Sequence, residues 1–288
     1  MAEMMIAQTS GEANFERQNS GAGHENGFHR LRTWKDRKVR VAARALLAGG
    51  TRQYGELAKY YDLLYEWKDY AKEARTIEQL IERYKVTTGK ALLDVGCGTG
   101  KHLQYLSRRF ECVGMDVNEP MLDQARRNVQ GVRFIRGDMV DFSLGRKFDV
   151  IVCLFSSIGF VRTYRKLART LRNFADHLQL GGVVIIEPWF TKSTARSGYI
   201  HVLSQGDDRL RIVRVDFTRV KRGLTVIDEG IMVAKKDVGI TAYKDHMVMG
   251  LFEQGEFLRL MRKAGFEARY LKRSLAPGRG LYVGIKRN

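Results

Sequence analysis

Two carboxylates bracket a glycine-rich turn in this chain. Asp94 closes the apolar run Ala91-Leu92-Leu93 and opens Asp94-Val95-Gly96-Cys97-Gly98-Thr99-Gly100, after which Lys101-His102-Leu103 starts a helix pattern. Twenty-two positions beyond Asp94, Asp116 ends a second short apolar run, Cys112-Val113-Gly114-Met115. A strand, a glycine turn and a helix start in that order build a cofactor-binding corner, and α/β folds hold a ribose with a carboxylate at the end of the next strand. Glycine alone says little, because any tight strand-to-helix turn needs it. Two carboxylates around one such turn suit a nucleoside that carries a cationic group. A dinucleotide would instead want a tighter Gly-x-Gly-x-x-Gly turn whose helix N-terminus faces a pyrophosphate.

The spacing Gly96, Gly98, Gly100 resembles that of class I S-adenosylmethionine-dependent methyltransferases. The other cofactor signatures of that class follow in order. Asn118-Glu119-Pro120-Met121-Leu122 places a helix cap and an early proline straight after Asp116, and Gly137-Asp138-Met139 ends a third strand. The resemblance implies S-adenosylmethionine as cofactor and no metal. It assigns the methionine end to Asp94, Gly96, Cys97, Gly98 and Gly100, and the ribose to Asp116. Asp138 and Met139 are assigned to the adenine, with Val117 and Met121 as further cofactor contacts.

The elements that must position these residues alternate along the chain. A helix from about Ala71 to Tyr84 carries Ala74, Ile77, Leu80 and Ile81 at helical spacing. Phe148-Asp149-Val150-Ile151-Val152-Cys153-Leu154-Phe155 has the β-branched character of a central parallel strand, the fourth. Val161, Tyr164, Leu167, Ala168, Leu171, Phe174, Ala175 and Leu178 then mark one helix face, and Gly181-Gly182 turns the chain into a fifth strand, Val183 to Glu187. Such alternation predicts an α/β, doubly wound, seven-stranded Rossmann-like methyltransferase sheet. Between Phe190 and Gly250 the pattern becomes β-rich, with Leu210–Phe217, Leu224–Ile227 and Ile231–Val233 separated by the turn residues Lys221-Arg222-Gly223 and Asp228-Glu229-Gly230. This predicts a small antiparallel β insertion. A helix from Gly255 to Ala264 and runs at Phe266–Leu271 and Gly280–Ile285 return the chain to the main sheet. The expected organisation is a disordered, basic tail over 1–53, a methyltransferase domain over 54–190 and 251–288, and a β-rich insertion over 191–250 that forms part of the acceptor site. Tyr54 to Tyr70, rich in tyrosine, reads as an amphipathic helix that serves as a lid.

At 288 residues the chain can bury one good-sized core. Its three cysteines, Cys97, Cys112 and Cys153, share no metal-ligand or disulfide spacing and read as small buried hydrophobes in a reducing compartment. With no apolar run near the roughly 20 residues of a membrane span and no signal-peptide core, the expected location is cytoplasmic, with no membrane partner. The net charge of +18 invites a nucleic-acid reading, and Arg30 to Arg44 carries a basic run. Residues 1–53 hold nine Lys and Arg against five Asp and Glu, so only +4 lies there and the remainder is spread thinly. A diffuse excess argues less for a nucleic-acid groove than a clustered one, and an RNA-binding protein on a methyltransferase scaffold is the rival from another class.

The exit of the fourth strand narrows the acceptor. Leu154-Phe155-Ser156-Ser157-Ile158-Gly159-Phe160 is neither the Asn/Asp-Pro-Pro-aromatic signature of base or glutamine amino groups nor the Pro-Cys of a pyrimidine carbon. Gly137-Asp138-Met139 running into Asp141–Phe148, the segment Phe155–Gly159, the tetrapeptide Glu187-Pro188-Trp189-Phe190, and Pro277–Gly284 together resemble the dTDP-amino-sugar N,N-dimethyltransferases. That resemblance runs from about Tyr54 to Ile285. It implies methylation of the amine of a dTDP-amino-dideoxyhexose, and the alternative on the same scaffold is another small amine such as glycine or a polyamine. Tyr54 and Glu187 become the catalytic candidates, with Tyr54 near the sugar and Glu187 facing the acceptor cleft, although Glu187 suits a loop-positioning role equally. Ser156, Ser157, Phe160, Trp189 and Arg279 would meet substrate, Arg279 at the diphosphate, while Tyr61, Tyr70 and Phe155 would meet the cofactor. Some relatives have His or Tyr after Ser-Ser-Ile-Gly where this chain has Phe160, which offers no proton acceptor, and tend to have two tryptophans after Glu-Pro where this chain has Trp189-Phe190. A homodimer is one possible assembly.

Overall fold

The computed structural model describes residues 53–272, 275 and 278–287. The expected tail, including the basic run from Arg30 to Arg44, lies outside the described residues except for Gln53, and so does Pro277.

Helix α1 (Ala58–Leu64) is followed by α2 (Tyr70–Tyr84), whose cap is Asp69, accepting a hydrogen bond from Lys72 N at 2.8 Å. The chain then runs through β1 (Ala91–Val95), the one-turn α3 (Leu103–Leu106), β2 (Glu111–Asp116), α4 (Glu119–Asn128), β3 (Arg133–Arg136) and β4 (Phe148–Cys153). A 3₁₀ turn at Ser157–Val161 precedes α5 (Tyr164–Asp176), capped by Thr163, and β5 (Leu178–Ile186). Four long strands follow: β6 (Tyr199–Gly206), β7 (Leu210–Lys221), β8 (Leu224–Lys235) and β9 (Gly239–Gly250). Helix α6 (Gln254–Lys263), β10 (Phe266–Leu271) and β11 (Leu281–Lys286) close the described chain.

Among the described residues, seven strands form one sheet in the order β10-β11-β5-β4-β1-β2-β3, and β6-β7-β8-β9 form a separate antiparallel sheet. Only β11 runs against its neighbours in the larger sheet. Because β1, β4 and β5 are central, both of their faces need cover. Leu92, Val150, Val152 and Val183 pack with Ala74, Ile77 and Ile81 of α2 and Leu122 of α4, while Leu93, Ile151 and Val184 pack with Leu167, Leu171 and Phe174 of α5 and Phe257 and Met261 of α6. Each such aliphatic side chain removed from water contributes about 1.5–3 kcal/mol. This is the doubly wound, seven-stranded sheet with an antiparallel insertion that the sequence predicts.

The insertion differs from its expected detail. Asp228-Glu229-Gly230 is not a turn but the middle of β8, where Asp228 pairs with Arg219 of β7 and His246 of β9. Cross-strand partners neutralise the carboxylates that read as turn formers. One face of this sheet carries Ile212, Ile231 and Val233 and packs on Leu57, Tyr60, Leu64 and Tyr65, so α1 lies against the insertion. The backbone N–H of Gln53 donates to Asp245 Oδ2 at 2.6 Å, fixing the chain where it enters α1.

Candidate active site

The glycine turn after β1 takes left-handed backbone angles at Gly96, Gly98 and Gly100, where side chains are disfavoured. At Gly96 a Cβ would also lie 2.7 Å from that of Ser157, so the exits of β1 and β4 touch only because glycine stands there. The backbone N–H groups of Gly96 and Cys97 donate to Met115 O at 2.7 and 3.0 Å, tying the turn to β2. Cys97 is buried, and burial pushes its thiol well above the ordinary range, so it presents backbone rather than a nucleophile.

Asp116 is held from two sides. Its Oδ2 accepts from Gly98 N at 2.9 Å and its Oδ1 from Asn118 N at 2.9 Å, while burial raises its pKa against the pull of those donors. Oδ1 also accepts from Asn118 Nδ2 at 3.2 Å, so it is Oδ2 that keeps a lone pair for a further donor, such as a ribose hydroxyl. Beside it Val117 is 52% exposed, an apolar side chain open at the rim. Met121 is buried with its methyl against Gly98, Met139 is half-buried, and Asp138 is exposed with Oδ1 accepting from Val140 N. Asp94, buried at the end of β1, has its pKa raised to about 7 by burial, with Asp116 adding to the rise and His102 opposing it. Such a carboxylate favours an incoming cation.

Helix α1 is fastened over this turn. Asp62 Oδ1 accepts from Thr99 Oγ1 at 2.5 Å and its Oδ2 from Asn128 Nδ2 at 2.7 Å, and Asn128 Nδ2 also donates to Thr99 O. An aromatic wall continues from it. Tyr54 meets Phe160 edge-to-face at 5.8 Å and Tyr61 at 6.0 Å, Tyr61 meets Tyr65 at 4.7 Å, and Tyr65 meets Phe155 edge-to-face at 5.1 Å. The Tyr54 hydroxyl reaches Met247 Sδ of β9 at 3.4 Å, and Arg214 Nη1 of β7 donates to the Tyr65 hydroxyl at 2.7 Å. Burial pushes the phenols of Tyr54, Tyr61 and Tyr70 well up, so they remain protonated and act as hydroxyls, not phenolates.

The exit of β4 is strained: Phe155 and Ser156 both have left-handed φ, +49° and +63°. Three contacts hold it. Phe155 N donates to Glu187 Oε2 at 2.7 Å, Ser156 Oγ to Pro188 O at 2.8 Å, and Arg279 Nη1 to Ser156 Oγ at 2.7 Å. Ser157 Oγ reaches Gly96 O at 3.4 Å. The Arg279 guanidinium lies 5.4 and 5.7 Å from the rings of Trp189 and Phe190, and Trp189 Nε1 donates to Thr225 Oγ1 of β8 at 3.1 Å. Glu187 has no exposed surface and its Oε1 lacks a hydrogen-bond partner among the described residues. Its geometry is that of a carboxylate positioning the Phe155 backbone, not of a base open to a cleft.

Two clusters thus meet across one edge of the sheet, Asp94, Asp116 and the glycine turn on one side and Tyr54, Phe160, Trp189 and Arg279 on the other. Asp62, Lys68, Glu73, His102 and Arg214 join them without having been singled out in the sequence. A methyltransferase-domain family model matches residues 92–182. The chain is 36% identical over 231 residues to dTDP-3-amino-3,4,6-trideoxy-alpha-D-glucopyranose N,N-dimethyltransferase of Streptomyces venezuelae, covering 79% of this chain and 97% of that one. The chain belongs to the dTDP-amino-sugar N,N-dimethyltransferases. Another member, dTDP-4-amino-2,3,4,6-tetradeoxy-D-glucose N,N-dimethyltransferase of Saccharopolyspora spinosa, is 34% identical over 80% of this chain and 92% of its own. The solved structure of CalS10, an amino pentose methyltransferase from Micromonospora echinaspora with S-adenosylmethionine bound, superposes with a TM-score of 0.69 at 30% identity, covering 76% of this chain and 92% of that one. As a member of these N,N-dimethyltransferases the protein is an S-adenosylmethionine-dependent N-methyltransferase. The buried carboxyl of Asp94, which a neighbouring cation would ionise, the pre-oriented Asp116 and the side-chain-free turn fit that cationic nucleoside.

Proposed function

We propose that the protein methylates the amino group of a dTDP-linked amino-dideoxyhexose, in one or two successive transfers. Arg279 carries this reading. Its guanidinium is anchored at one nitrogen by Ser156 and stacked near two aromatic rings, while its buried Nε has no hydrogen-bond partner among the described residues. An unpaired buried donor beside apolar rings suits a diphosphate next to a flat base.

When bound, S-adenosylmethionine supplies an electrophilic methyl on a sulfonium. Asp94 and the turn of Gly96, Cys97, Gly98 and Gly100 would hold its amino-acid end, Asp116 its ribose, and Val117, Met121, Asp138 and Met139 its adenine. Phe155, Tyr61 and Tyr70 would cover the reacting end and exclude water. Tyr54, with Ser156, Ser157, Phe160 and Trp189 around it, would orient the sugar amine by its hydroxyl. The amine arrives neutral and its proton leaves to solvent, because Phe160 offers no acceptor and the phenols stay protonated. Glu187 would keep the β4 exit in its strained form. The insertion takes part through Met247 and Thr225, which hold Tyr54 and Trp189.

Mass spectrometry of protein incubated with S-adenosylmethionine and dTDP-3-amino- or dTDP-4-amino-dideoxyhexoses, beside glycine and a polyamine, tests the acceptor. Methyl gain on a nucleotide sugar is expected. Transfer to glycine or the polyamine alone would replace the sugar with another small amine.

The same reading places the enzyme in the cytoplasm as a homodimer. The free thiols of Cys97, Cys112 and Cys153 suit a reducing compartment. The outer face of the insertion carries a band of apolar side chains, Ile200 opposite Phe217 and Val202 opposite Val215, with Met232 beside them, all exposed. A second copy presenting the same face would cover it.

A further inference from the structure

Beside the glycine turn lies a buried cation. Lys68 immediately precedes Asp69, the cap of α2, and its side chain is only 3% exposed. Its Nζ pairs with Glu73 Oε1, one turn into α2, and Glu73 Oε2 lies 2.7 Å from His102 Nε2, just past Gly100. Burial opposes ionisation of Glu73, but His102 and Lys68 hold its carboxyl below the ordinary range. Glu73 takes one of the three donors of the ammonium. The ammonium also stands 4.6 Å from the ring centre of Phe155, at the exit of β4, and 5.3 Å from that of Tyr70. It therefore sits where β1 and β4 both end. Asp116, at the end of β2, marks the ribose side of the same turn.

Lysine is costly to bury, and an ion pair at this depth rarely repays the desolvation of both charges by itself. A hydrophobic pair would fill the space between α2 and the glycine turn at lower cost. Glu73 is shared by two nitrogen donors, which leaves the ammonium under-neutralised and able to accept a second anion.

We propose that Lys68 binds the α-carboxylate of S-adenosylmethionine and of S-adenosylhomocysteine. Asp94 is left for the neighbouring α-ammonium. The inference rests on the placement of the cofactor at the glycine turn. It gives the methionine end a cation and an anion, matched to an amino acid's two charges.

Calorimetry with S-adenosylhomocysteine and methylthioadenosine, which lacks the amino-acid part, tests it on Lys68→Met and Lys68→Arg. Lys68→Met is expected to weaken S-adenosylhomocysteine by about tenfold or more while moving methylthioadenosine by no more than about twofold, the scale of one charge-assisted hydrogen bond. Lys68→Arg is expected to recover most of the loss. Should the Met variant not fold, Lys68→Gln, which can still donate to Glu73, gives the same comparison. A loss for S-adenosylhomocysteine no greater than that for methylthioadenosine overturns the proposal and leaves Lys68 as a structural partner of Glu73. Failure of the placement itself shows differently, as unchanged binding of both ligands to Asp116→Ala.

Discussion

At the scale of single residues the clearest consequence concerns Asp94. Burial raises its pKa to about 7, so in the free protein it is mostly protonated below that pH, and the cationic end of the cofactor requires it ionised. Affinity for S-adenosylhomocysteine should therefore rise about tenfold per pH unit from pH 5.5 toward 7 and then level off, the slope of one linked proton. Calorimetry across that range checks it, and Asp94→Asn should flatten the profile as well as weaken binding. Glu187 separates two roles. If it positions Phe155, Glu187→Gln, which keeps an oxygen for Phe155 N, should retain most turnover, whereas Glu187→Ala should lose about tenfold or more by freeing a strained backbone. Equal, near-complete losses in both variants would point to the carboxylate charge instead. Asp94 and Asp116 are legible in the sequence because each closes a short strand beside glycines within one local motif. Lys68, Glu73 and His102 are not, since helix α2 and the glycine turn meet only after folding and an isolated Lys or Glu reads as a solvated surface charge. The contact of Gln53 with Asp245 spans 192 positions and no spacing rule reaches that far.

Among the elements, α1 is the one whose position decides whether the site is closed. It is a helix of 7 residues, too short to be stable on its own, and owes its place to Leu57, Tyr60 and Leu64 against the insertion and to Asp62 over Thr99 and Asn128. Asp62→Ala removes the second attachment and leaves the first. Hydrogen exchange across residues 54–64 should quicken while the main sheet keeps its protection, and KM for both substrates should rise by several-fold, on the order of the loss of two part-buried hydrogen bonds. Exchange that does not change would mean the apolar contacts alone hold the helix. The order of elements in the main sheet follows from the sequence because its central strands β1, β4 and β5 are mostly apolar, buried runs that alternate with helix patterns. The insertion is less readable. Its strands alternate apolar with charged residues, and Asp228-Glu229-Gly230 has the composition of a turn although Arg219, His246 and Arg214 on neighbouring strands satisfy it within β8. Composition records the local preference, and the partners that override it stand on other strands.

For the whole molecule, the two faces of the insertion sheet carry different loads. The inner face buries Ile212, Ile231 and Val233 under α1 together with Arg214 and Glu229, while the outer face leaves Ile200 63% and Val202 60% exposed in a band that crosses three strands. Arg211 and Lys244 belong to the same outer face by strand parity, and so do Arg219, Asp228 and His246, which pair with one another beside the band. Two copies facing each other through a two-fold axis would stack these sheets at about 10 Å and bury the apolar band of each against the other. The sheet also holds Tyr54 through Met247 and Trp189 through Thr225, so an interface on its outer face would stiffen the acceptor wall from behind. Val202→Lys sets a charge opposite Val215 at the centre of the band, on the face opposite to that of Met247 and Thr225. Light scattering should find the unaltered protein dimeric and this variant monomeric, with S-adenosylhomocysteine affinity unchanged and KM for the nucleotide sugar raised. An unaltered protein that is monomeric at every concentration would reject the interface, and a variant that remains dimeric would move it to another face.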